Sequence, residues 1–419
     1  MSTESSAVSI PPGYKQTEVG VIPEDWDLKR MEEVVDVDAD NLSAETPVYY
    51  SFNYISLEDV DEGVLRNYSS QTFGSAPSRA RRRLRYGDVL ISTVRPNLKS
   101  HLLFRQHQGE WICSTGFSVV RCKNMSAVPS YIFTHLFATT ITKQIESLLT
   151  GSNYPAINGK DVKSLLIPFP PTIAEQKAIA EALSDTDAFI ESLEQLIEKK
   201  RQIKQGAMQE LLTGKRRLPG FSEEWEVKRL GDLAEIRSGG TPSTTQPQFW
   251  DGNILWCTPT DITALKSHKY LSDTSRKITL QGLKCSSAEI IPAKSIIMTS
   301  RATIGECAIN QVSVSTNQGF KNLIPFENVD VEFLYYLLLT KKQKFISLCA
   351  GSTFLEISKT QLSIFEVKLP VIKSEQLAIA TILSDMDFEI TILEKKLAKA
   401  RKIKQGMMQE LLTGKTRLV

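Results

Sequence analysis

Between residues 172 and 214, and again between 372 and 414, apolar side chains return at alternating steps of four and three. The first series is Ile179, Leu183, Thr186, Ile190, Leu193, Ile197, Lys200, Lys204, Ala207 and Leu211. The second is Ile379, Leu383, Met386, Ile390, Leu393, Leu397, Ala400, Lys404, Met407 and Leu411. Seven and nine of the ten positions are apolar, and such a period is the a/d seam of a coiled coil. Each stretch is therefore predicted to be one helix of about 40 residues, roughly 60 Å long. Thr172 and Glu175 have capping-box spacing after Pro170–Pro171. Gly214 and Gly414 fall where a C′ glycine stops a helix. A seam repeated in the same register predicts that the two helices pair with each other. The plainer alternative is that each packs only on its own domain. Gly206 and Gly406 interrupt the seam at about 1 kcal/mol each relative to alanine; close approach of another backbone and fraying of the helix end explain them equally well.

The flanking regions change period. "YGDVLIST" and "KSIIMTSR" read as short buried strands, and "PSYIFTHLFATTITKQIESLL" and "DVEFLYYLLLTKKQKFISLC" as matching helices. Gly-, Pro- and Asn-rich loops join them, and loops on a scaffold are where recognition is usually carried. The fold class is α+β, with a first mixed domain over 1–170, a helix over 171–218, a second mixed domain over 219–370 and a helix over 371–419.

Both helices belong to a duplication. "KQGAMQELLTGKRRL" (Lys204 to Leu218) returns as "KQGMMQELLTGKTRL" (Lys404 to Leu418), and at an offset of 200 residues 167–218 match 367–418 at 29 of 52 positions. Weaker echoes link "PEDWDLKRM" with "SEEWEVKRL" and "GSNYPAINGKDV" with "GSTFLEISKTQL". A period this long is a duplicated domain rather than a solenoid repeat.

Composition is that of an ordinary globular chain, with 41% hydrophobic and 23% charged residues. No run of about 18 apolar residues predicts a membrane span, and "MSTESSAVSIPPGYKQ" lacks the basic and apolar regions of a secretory signal. Six cysteines without CxxC spacing fit a reduced cytosolic chain. The net charge of +2 conceals a strong polarity: residues 1–62 hold 3 basic and 15 acidic side chains, residues 63–123 hold 11 and 2. The densest stretch, "SRARRRLRYGD", is read as binding phosphate or an acidic partner, or as a solvated loop.

Catalytic motifs are missing. There is no GxxxxGK[ST] or GxGxxG, no HExxH and no GxSxG, and "SGGTPST" has the wrong spacing for a nucleotide loop. His101, His107, His135 and His268 do not join cysteines at zinc spacing. "IPPGY" and "FPPT" lack the polar residue that a methyltransferase places before Pro-Pro-aromatic. Asp185 and Asp187, echoed as Asp385 and Asp387, are read as a solvated helix face or a partner contact rather than a paired-carboxylate site. No catalytic residue and no metal ligand is assigned.

The order of "SGGTPS", "STNQGFKNL", "GSTFLEISKTQL", "LPVIKSEQLAIATILSDMDFEI" and "IKQGMMQELLTGKTRL" resembles that of the specificity subunits of Type I restriction-modification enzymes, from about Trp26 onward. The resemblance implies two pseudo-symmetric target recognition domains held apart by an antiparallel coiled coil. Each domain would read one half of an asymmetric bipartite site in double-stranded DNA, the helices setting the gap. Two modification subunits would methylate adenine with S-adenosylmethionine, and restriction subunits would add ATP- and Mg-dependent cleavage. The chain itself would bind no cofactor and be cytoplasmic. Alternative readings are a coiled-coil scaffold without a nucleic-acid role and a free-standing enzyme with an unrecognised site.

On this reading the DNA-binding residues of the second domain are Thr241, Ser243, Arg301, Asn317, Gln318 and Lys321. Arginine and lysine suit guanine or phosphate, and the amides suit adenine. In the first domain Arg79, Arg81, Arg82, Arg83 and Arg85 are assigned to phosphate. Arg95 in "STVRPN", in a place similar to Arg301, is assigned to a base, and Lys99 lies beside it. The first domain has no counterpart of "SGGTPST".

Overall fold

The computed structural model describes residues 10–123, 126–151, 155–266, 268–349 and 355–418. Ser152–Tyr154 and Gly351–Phe354, which head the weakest sequence echo, lie outside the described residues. The chain forms two compact units, one of residues 1–194 with 396–419 and one of residues 195–395.

In the first unit, strand Asp27–Arg30 pairs antiparallel with Leu166–Phe169. One four-stranded sheet runs in the order Leu102–Leu103, Val89–Ser92, Phe117–Cys122, Val35–Val37. A second runs Ser69–Thr72, Ser51–Ile55, Trp111–Ser114, Ala80–Arg83. The second unit repeats the plan. Trp225–Arg229 pairs with Glu366–Pro370. A five-stranded sheet runs Ala234–Ser238, Phe320–Pro325, Ile296–Thr299, Cys307–Asn310, Tyr270–Leu271, and a three-stranded sheet runs Arg276–Ile278, Trp250–Cys257, Ser315–Thr316. In the second sheet of each unit one pair is parallel, Ser51–Ile55 with Trp111–Ser114 and Trp250–Cys257 with Ser315–Thr316. The apolar runs "VLIS" and "IIMT" are wholly buried, as strands covered on both faces require.

Each predicted domain helix is in fact two. Pro129–His135 and Thr139–Leu148 are divided at Ala138, whose backbone is extended. Val331–Leu339 and Lys342–Leu348 are divided where the Thr340 hydroxyl donates to the Leu337 carbonyl at 2.7 Å and closes the turn. Threonines compete in this way for backbone partners.

The long helices span Ile173–Leu211 and Lys373–Leu411. Within each unit, the opening turns of one helix meet the closing turns of the other. In the first unit Glu175 meets Arg417, Asp187 meets Lys404 and Glu194 meets Arg401. In the second, Glu375 meets Arg217, Asp387 meets Lys204 and Glu394 meets Arg201. One number rises as the other falls, so the segments run antiparallel. Both packing expectations are thus realised together: each helix begins against its own domain and also pairs with the other. Ile179, Leu183, Leu193, Ile197 and Leu211 are buried, as are Ile379, Leu383, Ile390 and Leu411. Ile190, Met386, Leu393 and Leu397 are half-buried. The polar seam positions Lys204 and Lys404 answer Asp387 and Asp187, which accounts for lysine in an apolar stripe.

Two local readings change. Thr172 accepts from the Glu175 N–H at 3.2 Å, but Glu175 does not complete a capping box, because its carboxylate is turned to Arg417. A Cβ on Gly206 or Gly406 would meet open space, so close backbone approach does not explain them. Gly214 and Gly414 do end the helices, at φ of 71° and 69°.

His135 is buried with no hydrogen-bond partner on either ring nitrogen among the described residues. Burial lowers its pKa from 6.5 to about 3. The unfolded chain therefore takes up a proton that the folded chain refuses, and this histidine's contribution to stability falls as pH drops from about 6.5 to about 3. Gln176 and Gln376 accept from the N–H groups of Val128 and Asp330, which aligns His135 with the buried Leu337. His135→Leu should stabilise the chain by about 1–3 kcal/mol, the penalty of unsatisfied buried polar atoms, and should flatten the acid limb of a melting-temperature profile. An unchanged acid limb would show that His135 is not the group responsible.

Candidate nucleic-acid interface

In the second unit the glycines of "SGGTPST" let one loop lie directly on another. A Cβ on Gly239 would sit 1.9 Å from the Asn317 carbonyl oxygen, and one on Gly240 2.3 Å from the Ser287 carbonyl carbon. The Gly240 N–H donates to Thr316 O at 2.9 Å, and the Thr241 hydroxyl donates to Gln318 Oε1. The Ser300 N–H donates to Gly319 O at 2.7 Å, which brings the Arg301 loop to the same place. The structure therefore gathers three separate motifs, with Thr241, Gln318 and Arg301 beside one another.

The assigned residues differ in what they have left to offer. Gln318, Ser243 and Arg301 are exposed, and Ser243 shares a 2.8 Å hydrogen bond with Thr245. Asn317 is turned inward, accepting from the Gly319 N–H at 2.9 Å, and so shapes the loop. Lys321 is only 5% exposed and is held by Glu356 at 3.1 Å, which also takes Arg301 Nε at 2.7 Å. Burial raises the Glu356 pKa, but the bonds from Arg301 and Lys321 outweigh it and hold the carboxyl below its usual value. Lys321 thus orders the loops from beneath.

The arginine stretch of the first unit is largely answered within the fold. Strand Ala80–Arg83 alternates: Arg82 faces Asp38 at 2.9 Å, while Arg81 lies over Phe73 and Arg83 over Tyr50, at 4.8 and 5.5 Å. Asp40 receives Arg85 at 2.8 Å and lies within 3.9 Å of Arg83 and 3.8 Å of Arg121. Arg121 is paired with the buried Asp88 at 2.6 Å. Burial pushes the Asp38 pKa up despite these partners, so Arg82 and Asp38 depend on each other. Arg82, with its side chain 18% exposed, is a structural ion-pair partner first. Arg79, Arg81 and Arg83 keep surface to present, and so does Arg85, which is exposed although it meets Asp40.

Arg95 sits in the loop that corresponds to that of Arg301, but one residue further on. Val94 bridges to Ala156 as Arg301 bridges to Glu356, and Arg95 and Ala302 take the following left-handed position at φ of 48° and 56°. Lys99 is half-buried and also left-handed, at φ 53°. Among the described residues no cluster of histidine, cysteine and carboxylate side chains could hold a metal ion, and no helix is long and apolar enough to cross a membrane.

The family model for the Type I restriction modification DNA specificity domain matches twice, over residues 23–204 and 222–402. The chain belongs to this family. It is 41% identical to the Type I restriction enzyme MjaIX specificity subunit of Methanocaldococcus jannaschii, over 39% of this chain and 38% of that protein. It is 26% identical, over 97% of both chains, to a second protein of that organism with the provisional name of MjaX specificity subunit. A chain from a structure concerned with assembly and conformational transition of the type I R-M system matches the fold with a TM-score of 0.62 at 23% identity, covering 94% of this chain and 99% of that one.

Proposed function

We propose that this chain is the DNA-recognition subunit of a Type I restriction-modification complex, each unit reading one half of an asymmetric bipartite site. The observation that carries this is one scaffold built twice with different loops: the strand plan is repeated, the helices match at more than half of their positions, and the recognition loops share little sequence. Equivalent domains with divergent loops can dock alike on duplex DNA while reading different bases. The helices set the gap between the half-sites. Their shared residues suit two identical modification subunits, and exposed Ile203 and Ile403, at matching positions, offer those subunits apolar area outside the seam. Adenine methylation with S-adenosylmethionine, and cleavage by restriction subunits using ATP and Mg, belong to those cytoplasmic partners.

Single-molecule sequencing of adenine methylation, with and without the gene, tests this reading. One asymmetric two-part motif should disappear with the gene. An unchanged methylome in cells that express the partner subunits would refute it.

Arg81 and Arg83 share one face of their strand and are assigned to phosphate. Replacing both by alanine should weaken binding to every DNA sequence alike and reduce the slope of log K against log salt by about 1–2. Binding titrations across a salt series read this out; an unchanged slope would remove phosphate contact as their role.

A further inference from the structure

The two recognition surfaces can be matched by backbone hydrogen bonds although their sequences are only weakly related. In the first unit the Thr93 N–H donates to Gly116 O at 2.9 Å, as Ser300 does to Gly319 O. The Gly116 N–H donates to Ser114 Oγ at 3.1 Å, as Gly319 does to Asn317 Oδ1. The Ile157 N–H donates to Thr93 O at 2.9 Å, and the Ile357 N–H to Ser300 O at 3.1 Å. Ser114 therefore stands for Asn317, each a polar residue spent on the turn, and Thr115 stands for Gln318. Both Thr115 and Gln318 are exposed at the tip of the turn.

The flank of that tip is built differently in each unit. In the second, the glycine loop lies on residues 316–317 and places Thr241 against Gln318. In the first, strand Ala80–Arg83 is interposed: Ala80 pairs with Ser114, and the Thr115 N–H donates to Arg79 O at 2.8 Å. The "DADN" segment that follows strand Val35–Val37 is pushed one strand outward, with Asn41 bridging Arg82. This is why it needs no glycine, and why no sequence counterpart of "SGGTPST" exists. Arg79 is exposed, and it flanks Thr115 as Thr241 flanks Gln318.

We infer that Thr115, flanked by Arg79, is a base-reading position of the first domain and the counterpart of Gln318 with Thr241 in the second; this rests on the DNA-recognition reading above. The chemistry differs by design of the loops. A threonine offers a hydroxyl and a methyl group suited to thymine, an arginine offers paired donors to guanine, and a glutamine amide pairs with adenine. Arg79 is thereby separated from Arg81 and Arg83, whose contacts carry no sequence information.

The test uses cells carrying the complete system, with the methylated motif read by single-molecule sequencing. Thr115→Val and Arg79→Ala should each relax one position in one half-site, by about 10- to 100-fold in discrimination, leaving the other half intact. Gln318→Ala should relax the other half-site instead. Thr115→Gln keeps a hydrogen-bonding side chain at the tip and should alter the preferred base there. Relaxation of the same half by Thr115→Val and Gln318→Ala, an unchanged motif, or uniform loss of methylation at all sites would overturn the assignment. A wild-type chain that directs no two-part motif would instead refute the recognition reading itself.

Discussion

Arg417→Ala should destabilise the first unit by about 3–5 kcal/mol, the range for stripping the partner from a buried charge. The Glu175 side chain is 1% exposed. Both of its oxygens are taken by Arg417, from Nε and, at 2.9 Å, from Nη2. Without the guanidinium a desolvated carboxylate would remain among Trp26, Ile179 and Leu412, in the core of that unit. The Arg417 side chain is 29% exposed, so water can partly replace it, and the lower end of the range is the better expectation. Hydrogen exchange should speed up in residues 14–30 and 166–183 and stay unchanged in 225–230 and 366–383. Adding Glu175→Gln should restore much of the protection, because the neutral amide has far less to lose. Unchanged exchange in the first unit would mean the pair contributes nothing net. Arg217 and Glu375 repeat the arrangement at 2.8 Å, with Trp225 Nε1 also donating to Glu375 at 3.2 Å.

Gly239→Ala should disable recognition by the second domain alone. The new methyl group would lie 1.9 Å from the Asn317 carbonyl oxygen and 2.4 Å from Thr316 Oγ1, so the loop bearing Thr241 must leave the loop bearing Gln318. Losing even one well-aligned base contact lowers discrimination about 10- to 100-fold, and here two loops separate. The methylated motif should become degenerate in one half and keep the other. A melting temperature lowered by only a few degrees would show that the fold survives the separation. Retention of a fully specified motif would mean the glycine contact does not position the reading loop.

What could be read from the sequence follows from how far each interaction reaches along the chain. The long helices were legible because Ile179 to Leu211 and Ile379 to Leu411 keep one period over nine turns, and periodicity is local. That Glu175 meets Arg417 rather than Arg217 was not legible, because the two copies are identical at these positions and only the fold separates them. The arginine stretch looked more basic than it is. Asp38 and Asp40 lie elsewhere in the chain, and their pairing with Arg82 and Arg85 is a tertiary fact, while Asp88, inside the stretch, is taken by the distant Arg121. Lys321 and Asn317 carried recognition chemistry by residue type, yet burial and a loop hydrogen bond commit them to the scaffold. Thr115 carried little signal beyond the Gly-Phe that follows it, as Gly319-Phe320 follows Gln318. An exposed threonine is unremarked until the turn that holds it is matched to the one that holds Gln318.

The crosswise closure of the units also orders events during synthesis. Residues 195–395 are contiguous, so the second unit has every segment it needs once residue 395 has emerged. The first unit does not: Tyr14 reaches the carbonyl of Gly414, and its core includes Leu411 and Leu412. Until residues 396–418 are made, its N-terminal domain must wait with that apolar surface uncovered, and closing so long a loop is slow. At about 5–20 residues per second, the interval from residue 194 to residue 418 lasts roughly 10–45 s. The half of the protein translated first is thus the half completed last, and it is the one more exposed to chaperones and proteases on the way.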